Sequence, residues 1–289
     1  MADGNLVTVV SSASQSVRIT RDGPVIMIGE RINPTGRKQL SARLAQGDMT
    51  LVKRDAQRQV QAGAAILDVN AGVPSVDEPA LIVQMIRAIR KVTEVPLCLD
   101  SNNPAVLEAA LKAYDGKALI NSVNGEERSL QQILPLVKAH GAAVIGLTMD
   151  DEGIPKTVEK RLQVAEKILD RAAKLGIPTE DVIIDPLVLT VGADAQAARI
   201  TLETTRRIVE TFGVNITMGA SNVSHGLPDR QVLNATFLAM AIAHGLTCPI
   251  TNPLVRSIRD TVMAANLLMG HDEWAMNWIR YYRSKEATE

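Results

Sequence analysis

The chain has 289 residues, 46% hydrophobic and 22% charged, and its 31 basic and 32 acidic side chains leave a formal net charge of −1. That balance argues against a polyanion binder, because nucleic-acid domains carry a basic excess, and two cysteines, Cys98 and Cys248, are too few for a disulfide scaffold or a four-cysteine zinc site. No apolar run approaches the roughly 18–20 residues of a membrane span, and the N-terminus lacks the basic start and long apolar stretch of a signal peptide, so a cytoplasmic chain with no membrane or nucleic-acid partner is expected.

In chain order, NLVTVV and SVRIT alternate in polarity and flank the small polar turn SSASQ. This predicts a β-hairpin extension over residues 1–23 that closes the bottom of the main body. Strand-like apolar runs then recur at 25–30, 64–69, 95–100, 117–122, 142–148, 181–185, 214–219 and 247–251. Helical periodicity fills 50–62, 77–92, 104–114, 129–140, 157–175, 199–212, 230–244 and 255–269. Gly63, Gly116, Gly141, Gly176, Gly213, Gly245 and Gly270 stand where helices should stop, and Pro104 reads as a first-turn proline. The strand-to-strand step averages about 32 residues, the length of one βα unit.

Eight strands alternating with eight helices predict an α/β fold, a (β/α)8 TIM barrel with residues 1–289 as one domain. An open doubly wound sheet is the alternative. It would carry a glycine-rich phosphate loop after its first strand, where this chain has GERINPTGR. Only seven aromatic residues are present, four of them Trp274, Trp278, Tyr281 and Tyr282, so the core must be aliphatic. The C-terminal aromatics read as a core-sealing or dimer patch.

In such a barrel the chemistry sits at the C-terminal ends of the strands. Those ends supply Glu30, Arg31, Asn33, Asp68, Asn70, Asp100, Ser101, Asn121, Ser122, Asn124, Asp150, Asp185, Ser221, Asn222 and Asn252. Buried carboxylates without partners are costly, so this convergence predicts a ligand site. No strand end carries a histidine or a lysine. His140 and His244 fall at helix ends, where capping suits them, His271 reads as surface, and His225 alone is near the mouth. Aspartates and asparagines together match a flat heterocycle with donors and acceptors on one edge, such as a pterin. A paired-carboxylate glycosidase is the competing use, but the aromatic sugar platforms are missing. Asp68 and Asn70 have a second reading, as ties between the loops of the first two barrel strands.

The segments VIMIGERINPTG, LDVNAG, LCLDSNN, ALINSVNGE, GLTMDDEGIPK, IDPL and SNVSHGLPDRQVLNATFLAMAIAHGL, in order from residue 24 to about 270, resemble the methyltetrahydrofolate:corrinoid protein methyltransferases. They are also similar to the folate domain of cobalamin-dependent methionine synthase. The resemblance implies that Asp100, Asn121 and Asp185 bind the pterin ring and that Asn222 reaches N5, the methyl-bearing atom. Glu30 matches a glutamate lining the mouth and Arg230 an arginine after the seventh barrel strand; Ser221 and Asn70 are weaker matches. It further implies tetrahydrofolate or methyltetrahydrofolate as substrate, cobalamin carried by a partner corrinoid protein, no metal bound by this chain, and a homodimer. A methyl on a tertiary amine leaves only as N5 gains positive character, so a hydrogen bond strengthening with N5 protonation would lower the barrier. The alternatives are a dihydropteroate synthase-like enzyme and a non-catalytic folate-binding subunit. Dihydropteroate synthases carry a Ser-Thr-Arg-Pro anion loop after the second barrel strand, where NAGVPSVDE here has no basic residue.

Overall fold

The computed structural model describes residues 5–286, so residues 1–4 of the predicted extension and residues 287–289 lie outside the described residues. The chain opens with β1 (Thr8–Ser11) and β2 (Ser16–Ile19), an antiparallel pair in which Val10 lies opposite Val17. The barrel strands follow as β3 (Ile28–Ile32), β4 (Ile66–Asn70), β5 (Leu97–Asp100), β6 (Leu119–Asn124), β7 (Ala143–Leu147), β8 (Val182–Asp185), β9 (Thr217–Gly219) and β10 (Cys248–Thr251). The helices are α1 (Lys38–Ala45), α2 (Thr50–Gln61), α3 (Glu78–Arg90), α4 (Pro104–Ala113), α5 (Glu127–His140), α6 (Val158–Lys174), α7 (Ala197–Phe212), α8 (Arg230–Ala243), α9 (Arg256–Leu268) and α10 (Met276–Glu286).

All eight barrel strands are parallel, in the order β8-β7-β6-β5-β4-β3-β10-β9. A single bridge between Ile184 and Ile216 brings the two outer strands together. This is the predicted (β/α)8 barrel with its N-terminal hairpin. Two helices were not foreseen: α1, inserted after β3, and α10, which carries three of the four C-terminal aromatics. None of the described helices is long and apolar enough to cross a membrane.

Helix faces follow the 3.6-residue rule. On α3, Leu81, Ile82, Met85, Ile86 and Ile89 are all buried, each worth about 1.5–3 kcal/mol of apolar burial. Asn103 accepts from Ala105 N at 3.0 Å and Pro104 occupies the first turn of α4. The seven stop glycines all have positive φ. At Gly116 a Cβ would lie 2.3 Å from the Ser11 carbonyl oxygen, so the hairpin's seat requires glycine there.

The hairpin closes the barrel floor. Asn215, just before β9, donates to Thr8 Oγ1 at 3.0 Å and to the Ile19 carbonyl at 2.9 Å, and Tyr114 Oη donates to the Ser11 carbonyl at 2.9 Å. Val10, Val17 and Ile19 then pack on the inward-facing Ile28, Ile66 and Leu119. Side chains alternate along a strand, so the position two residues on faces the same interior. That step takes Ile28 to Glu30, Ile66 to Asp68, Cys98 to Asp100, Leu119 to Asn121 and Ile183 to Asp185. One strand pleat thus carries the interior from an aliphatic plug to a polar mouth.

Candidate active site

At that mouth a cavity of about 400 Å³ is lined by Glu30, Asp68, Asp100, Asn121, Asp185 and Asn222, with Arg31, Asn33, Thr35, Arg37, Gly219 and Ile250. Its size lies within the range of small-molecule sites. The structure therefore brings Glu30, Asp100, Asn121, Asp185 and Asn222 to one place. It puts Asn70, Ser221 and Arg230 just outside the lining.

Asn70 and Arg230 each support the lining, Arg230 through the Ser221 carbonyl. Asn70 Nδ2 donates to Asp100 Oδ2 at 3.0 Å while its Oδ1 accepts from Gly72 N at 2.8 Å. Arg230, at the start of α8, donates to the Ser221 carbonyl at 2.8 Å and to Ser224 Oγ at 3.0 Å, so it braces the short 3-10 turn Ala220–Ser224 that carries Asn222. Asn222 itself is exposed at the rim. A Cβ at residue 219 would sit 3.0 Å from Asn222 Nδ2, so Gly219 leaves room for that amide.

Asp68 and Asn70 do not tie the loops of the first two barrel strands to each other. Asp68 Oδ1 accepts from Asn121 Nδ2 at 3.1 Å, and Asn70 reaches Asp100, so the ties run from β4 to β5 and β6. Asn33 Nδ2 stands 3.5 Å from Asp100 Oδ2. On β3, Gly29 lets Gln59 approach, since a Cβ there would meet Gln59 Oε1 at 2.6 Å, and that oxygen accepts from Arg31 N at 2.8 Å. Arg37 donates to the Arg31 carbonyl and ion-pairs with Asp55 at 2.7 Å.

Electrostatically the mouth is a set of reluctant anions. Burial pushes the Asp185 carboxyl up to about 7, against hydrogen bonds from Leu187 N and Gly219 N and the charge of Arg161. Burial pushes Asp100 up to about 6, opposed by the Asn70 bond and assisted by Glu78. Asp68 is raised well above the carboxylate range, first by burial and then by the neighbouring Asp100. Glu30 is also raised by burial, against the charges of Arg31 and Arg230. Beneath them burial raises both cysteine thiols, Cys248 to about 12, so neither is a thiolate nucleophile near neutral pH.

The histidines stay peripheral. His244 contacts the Met240 carbonyl through Nδ1 at 2.7 Å, as a capping residue would, and His225 is exposed beyond Asn222. His271, read as surface, is half-buried, in the lining of the recess beside α10. The C-terminal aromatics divide: Trp278 and Tyr281 pack with ring centroids 6.3 Å apart, and Tyr281 Oη donates to Asp260, whereas Trp274 is 88% exposed. A larger recess of about 880 Å³ lies on the outer wall between α2, α9 and α10. Its one carboxylate, Asp272, is spent capping α10 through Asn277 N and Trp278 N, both at 2.9 Å. The convergence of carboxylates and amides is therefore at the barrel mouth.

Sequence reasoning does not reach Thr35 and Arg37. Both follow from the loop and helix after β3, and the only pattern that marks α1 is the buried pair Leu40 and Leu44, too short to stand out.

A family profile described as pterin binding enzyme matches residues 29–252. The chain is 28% identical over 267 residues to the methylcorrinoid:tetrahydrofolate methyltransferase of Eubacterium limosum, covering 90% of this chain and 96% of that protein. It is 32% identical over 256 residues to the methionine synthase of Mycobacterium tuberculosis, covering 84% of this chain but 22% of that much longer protein. Among solved structures, the dihydropteroate synthase of Thermus thermophilus superposes with a TM-score of 0.65 at 21% identity, over 90% of this chain and 99% of that one. That likeness speaks for the fold alone.

Proposed function

The chain belongs to the pterin-binding enzyme family, and from that premise we propose that it moves a methyl group between N5 of tetrahydrofolate and the cobalt of a separate corrinoid protein. The observation that carries this reading is the convergence of Asp100, Asn121, Asp185 and Asn222 on one ligand-sized cavity. The likeness to the Eubacterium limosum methyltransferase along nearly the full length of both chains supports the same choice. Residues 1–289 act in this proposal as a single pterin-binding unit.

Asp100 and Asp185 face each other's side of the cavity from β5 and β8, with Asn121 between them on β6. An ionised carboxylate accepts from a ring N–H and an amino group at once, and Asn121 both donates and accepts. These three hold the ring edge. Asn222, on the rim turn, directs its amide oxygen at N5 and strengthens that hydrogen bond as N5 becomes protonated. The proton comes from solvent or a hydrogen-bonded chain, since an amide cannot supply it, and the exposure of Asn222 leaves that route open. A corrinoid on the partner protein, docked over the same rim, supplies the cobalt that gives or accepts the methyl. The barrel contributes orientation. The chain works as a homodimer in the cytoplasm in this proposal.

Because Asp185 must be ionised to accept from two donors at once, folate affinity should rise with pH through about 7 and level off above it. The dihydropteroate synthase alternative has the shared fold behind it, but the loop after β4, Ala71–Asp77, offers no arginine or lysine for a pyrophosphate leaving group.

The deciding experiment mixes the purified protein, methyltetrahydrofolate and Co(I) cobalamin under anaerobic reducing conditions and follows methyl-Co(III) formation by absorbance. Turnover above the protein-free rate is the expected result. Saturable folate binding without turnover would assign the chain to a folate-binding subunit or require its own corrinoid protein; neither binding nor turnover would sink the pterin assignment.

A further inference from the structure

Arg161, on α6, is 1% exposed, and among the described residues no carboxylate is in ion-pair contact with it. A buried, unpaired guanidinium is costly unless its donors are taken up. Here every partner is neutral. Its Nε donates to the Pro155 carbonyl at 2.9 Å, and its Nη1 is shared among the Pro186 carbonyl at 2.7 Å, the Leu187 carbonyl at 2.9 Å and Thr201 Oγ1 at 3.3 Å. Thr201, on α7, donates back to the Leu187 carbonyl at 2.9 Å.

The segment so held is the turn that leaves β8. Leu187 has φ +62°, a left-handed conformation that a branched apolar residue adopts only when its surroundings enforce it. In that conformation Leu187 N donates to Asp185 Oδ1 at 2.7 Å. Asp185 is the cavity carboxylate immediately before the turn.

We propose that Arg161 is the positioning residue for Asp185: its Nη1, shared between the Pro186 and Leu187 carbonyls, fixes the left-handed turn whose N–H aims the carboxylate into the cavity. The role of Asp185 as a pterin ligand rests on the function proposed above; the mechanical link from Arg161 to Asp185 does not. The charge of Arg161 also favours the ionised form of Asp185, against burial. Other groups act on that carboxyl as well. Cys248 faces it from β10, and Glu30, Arg31, Arg37, Asp68 and Asp100 stand around the same cavity.

The test uses the full chain with Arg161→Met, Arg161→Lys and Asp185→Asn. First, the Asp185 carboxyl is titrated by 13C NMR in ligand-free protein labelled at aspartate, with Asp185→Asn assigning the signal. Arg161→Met should raise its midpoint by about one pH unit, the effect of removing a nearby opposite charge. Second, tetrahydrofolate affinity is measured in a double-mutant cycle. Arg161→Lys keeps the charge but has one nitrogen where arginine uses Nε on the Pro155 carbonyl and Nη1 on the turn, so it should weaken binding about tenfold, while in the Asp185→Asn background the same change should cost nothing further. Should Arg161→Met not fold, the lysine cycle alone decides. An unmoved Asp185 midpoint in a folded Arg161→Met, or equal losses from Arg161→Lys with and without Asp185, would overturn the proposal and leave Arg161 as a brace between α6 and α7. If wild-type protein bound no tetrahydrofolate, the functional reading would fall while the titration still decided this one.

Discussion

At the barrel floor, Val10, Val17 and Ile19 of the hairpin close over Ile28, Ile66 and Leu119. At the mouth, two residues further along the same strands, Glu30, Asp68 and Asn121 face an open cavity with Asp100 and Asp185. The strands are the same; only the inward side chain changes. The floor is stabilised by apolar burial, which does not depend on pH. At the mouth, four carboxyls are held above their ordinary range by desolvation, and keeping them ionised weakens the fold. This barrel thus gains stability at its apolar end and gives some of it up at its polar one.

Four substitutions bear on that contrast. The largest effect is expected at the rim. Asn222→Ala should slow methyl transfer about 10³-fold, on the scale of losing one oriented transition-state hydrogen bond, while tetrahydrofolate affinity changes less than about tenfold. Single-turnover kinetics and calorimetry separate the two, and matching losses would reassign Asn222 to ground-state binding. On the floor, Ile19→Ala should cost about 3 kcal/mol in denaturant unfolding and leave folate affinity untouched; a weakened affinity would mean that the two ends are coupled. Asp100→Ala should weaken folate binding by about 2 kcal/mol, the worth of a charged hydrogen bond, and unchanged affinity would remove it from the pterin site. The smallest effect has the opposite sign. Asp185 is raised in the folded state, so the stability it contributes is present below its unfolded range near 4 and is lost as pH rises to about 7. Asp185→Asn should therefore raise Tm at pH 8 by about 5 °C and leave it unchanged or lower at pH 4, even as it damages binding. A Tm that falls at both pH values would contradict the account of the mouth.

Much of this is legible in the sequence. The step from Ile66 to Asp68, from Cys98 to Asp100 and from Ile183 to Asp185 is a period-two pattern on aliphatic runs, and the positions two apart share the barrel interior. The glycine stops are legible because each of these seven positions takes a positive φ, which glycine adopts without strain. The first barrel strand began three residues later than its apolar run. Val25 and Ile26 are held by the Asn266 side chain and the Thr247 carbonyl, at 2.9 Å each, before the ladder starts at Ile28. Apolar character reports burial and does not distinguish a ladder residue from a buried approach. Helix α10 was hidden because MNWIRYYRSKE has no clean apolar stripe. Arg161 was invisible for a different reason. On the sequence it is one more cation on an amphipathic helix, and its meaning depends on a turn 25 residues away.

The closure of the barrel gives the site one more property. β7 and β8 share four paired positions and β9 and β10 share three, but β8 and β9 meet through a single bridge, Ile184 with Ile216. The cylinder therefore has a seam, and Asp185 ends the strand on one side of it while Asn222 follows the strand on the other. In the proposed function, a pterin held by the first and reached by the second would be a clasp across that seam. Under that proposal the ligand would bridge the seam, so folate binding should be felt first as a slowing of amide exchange along β8 and β9.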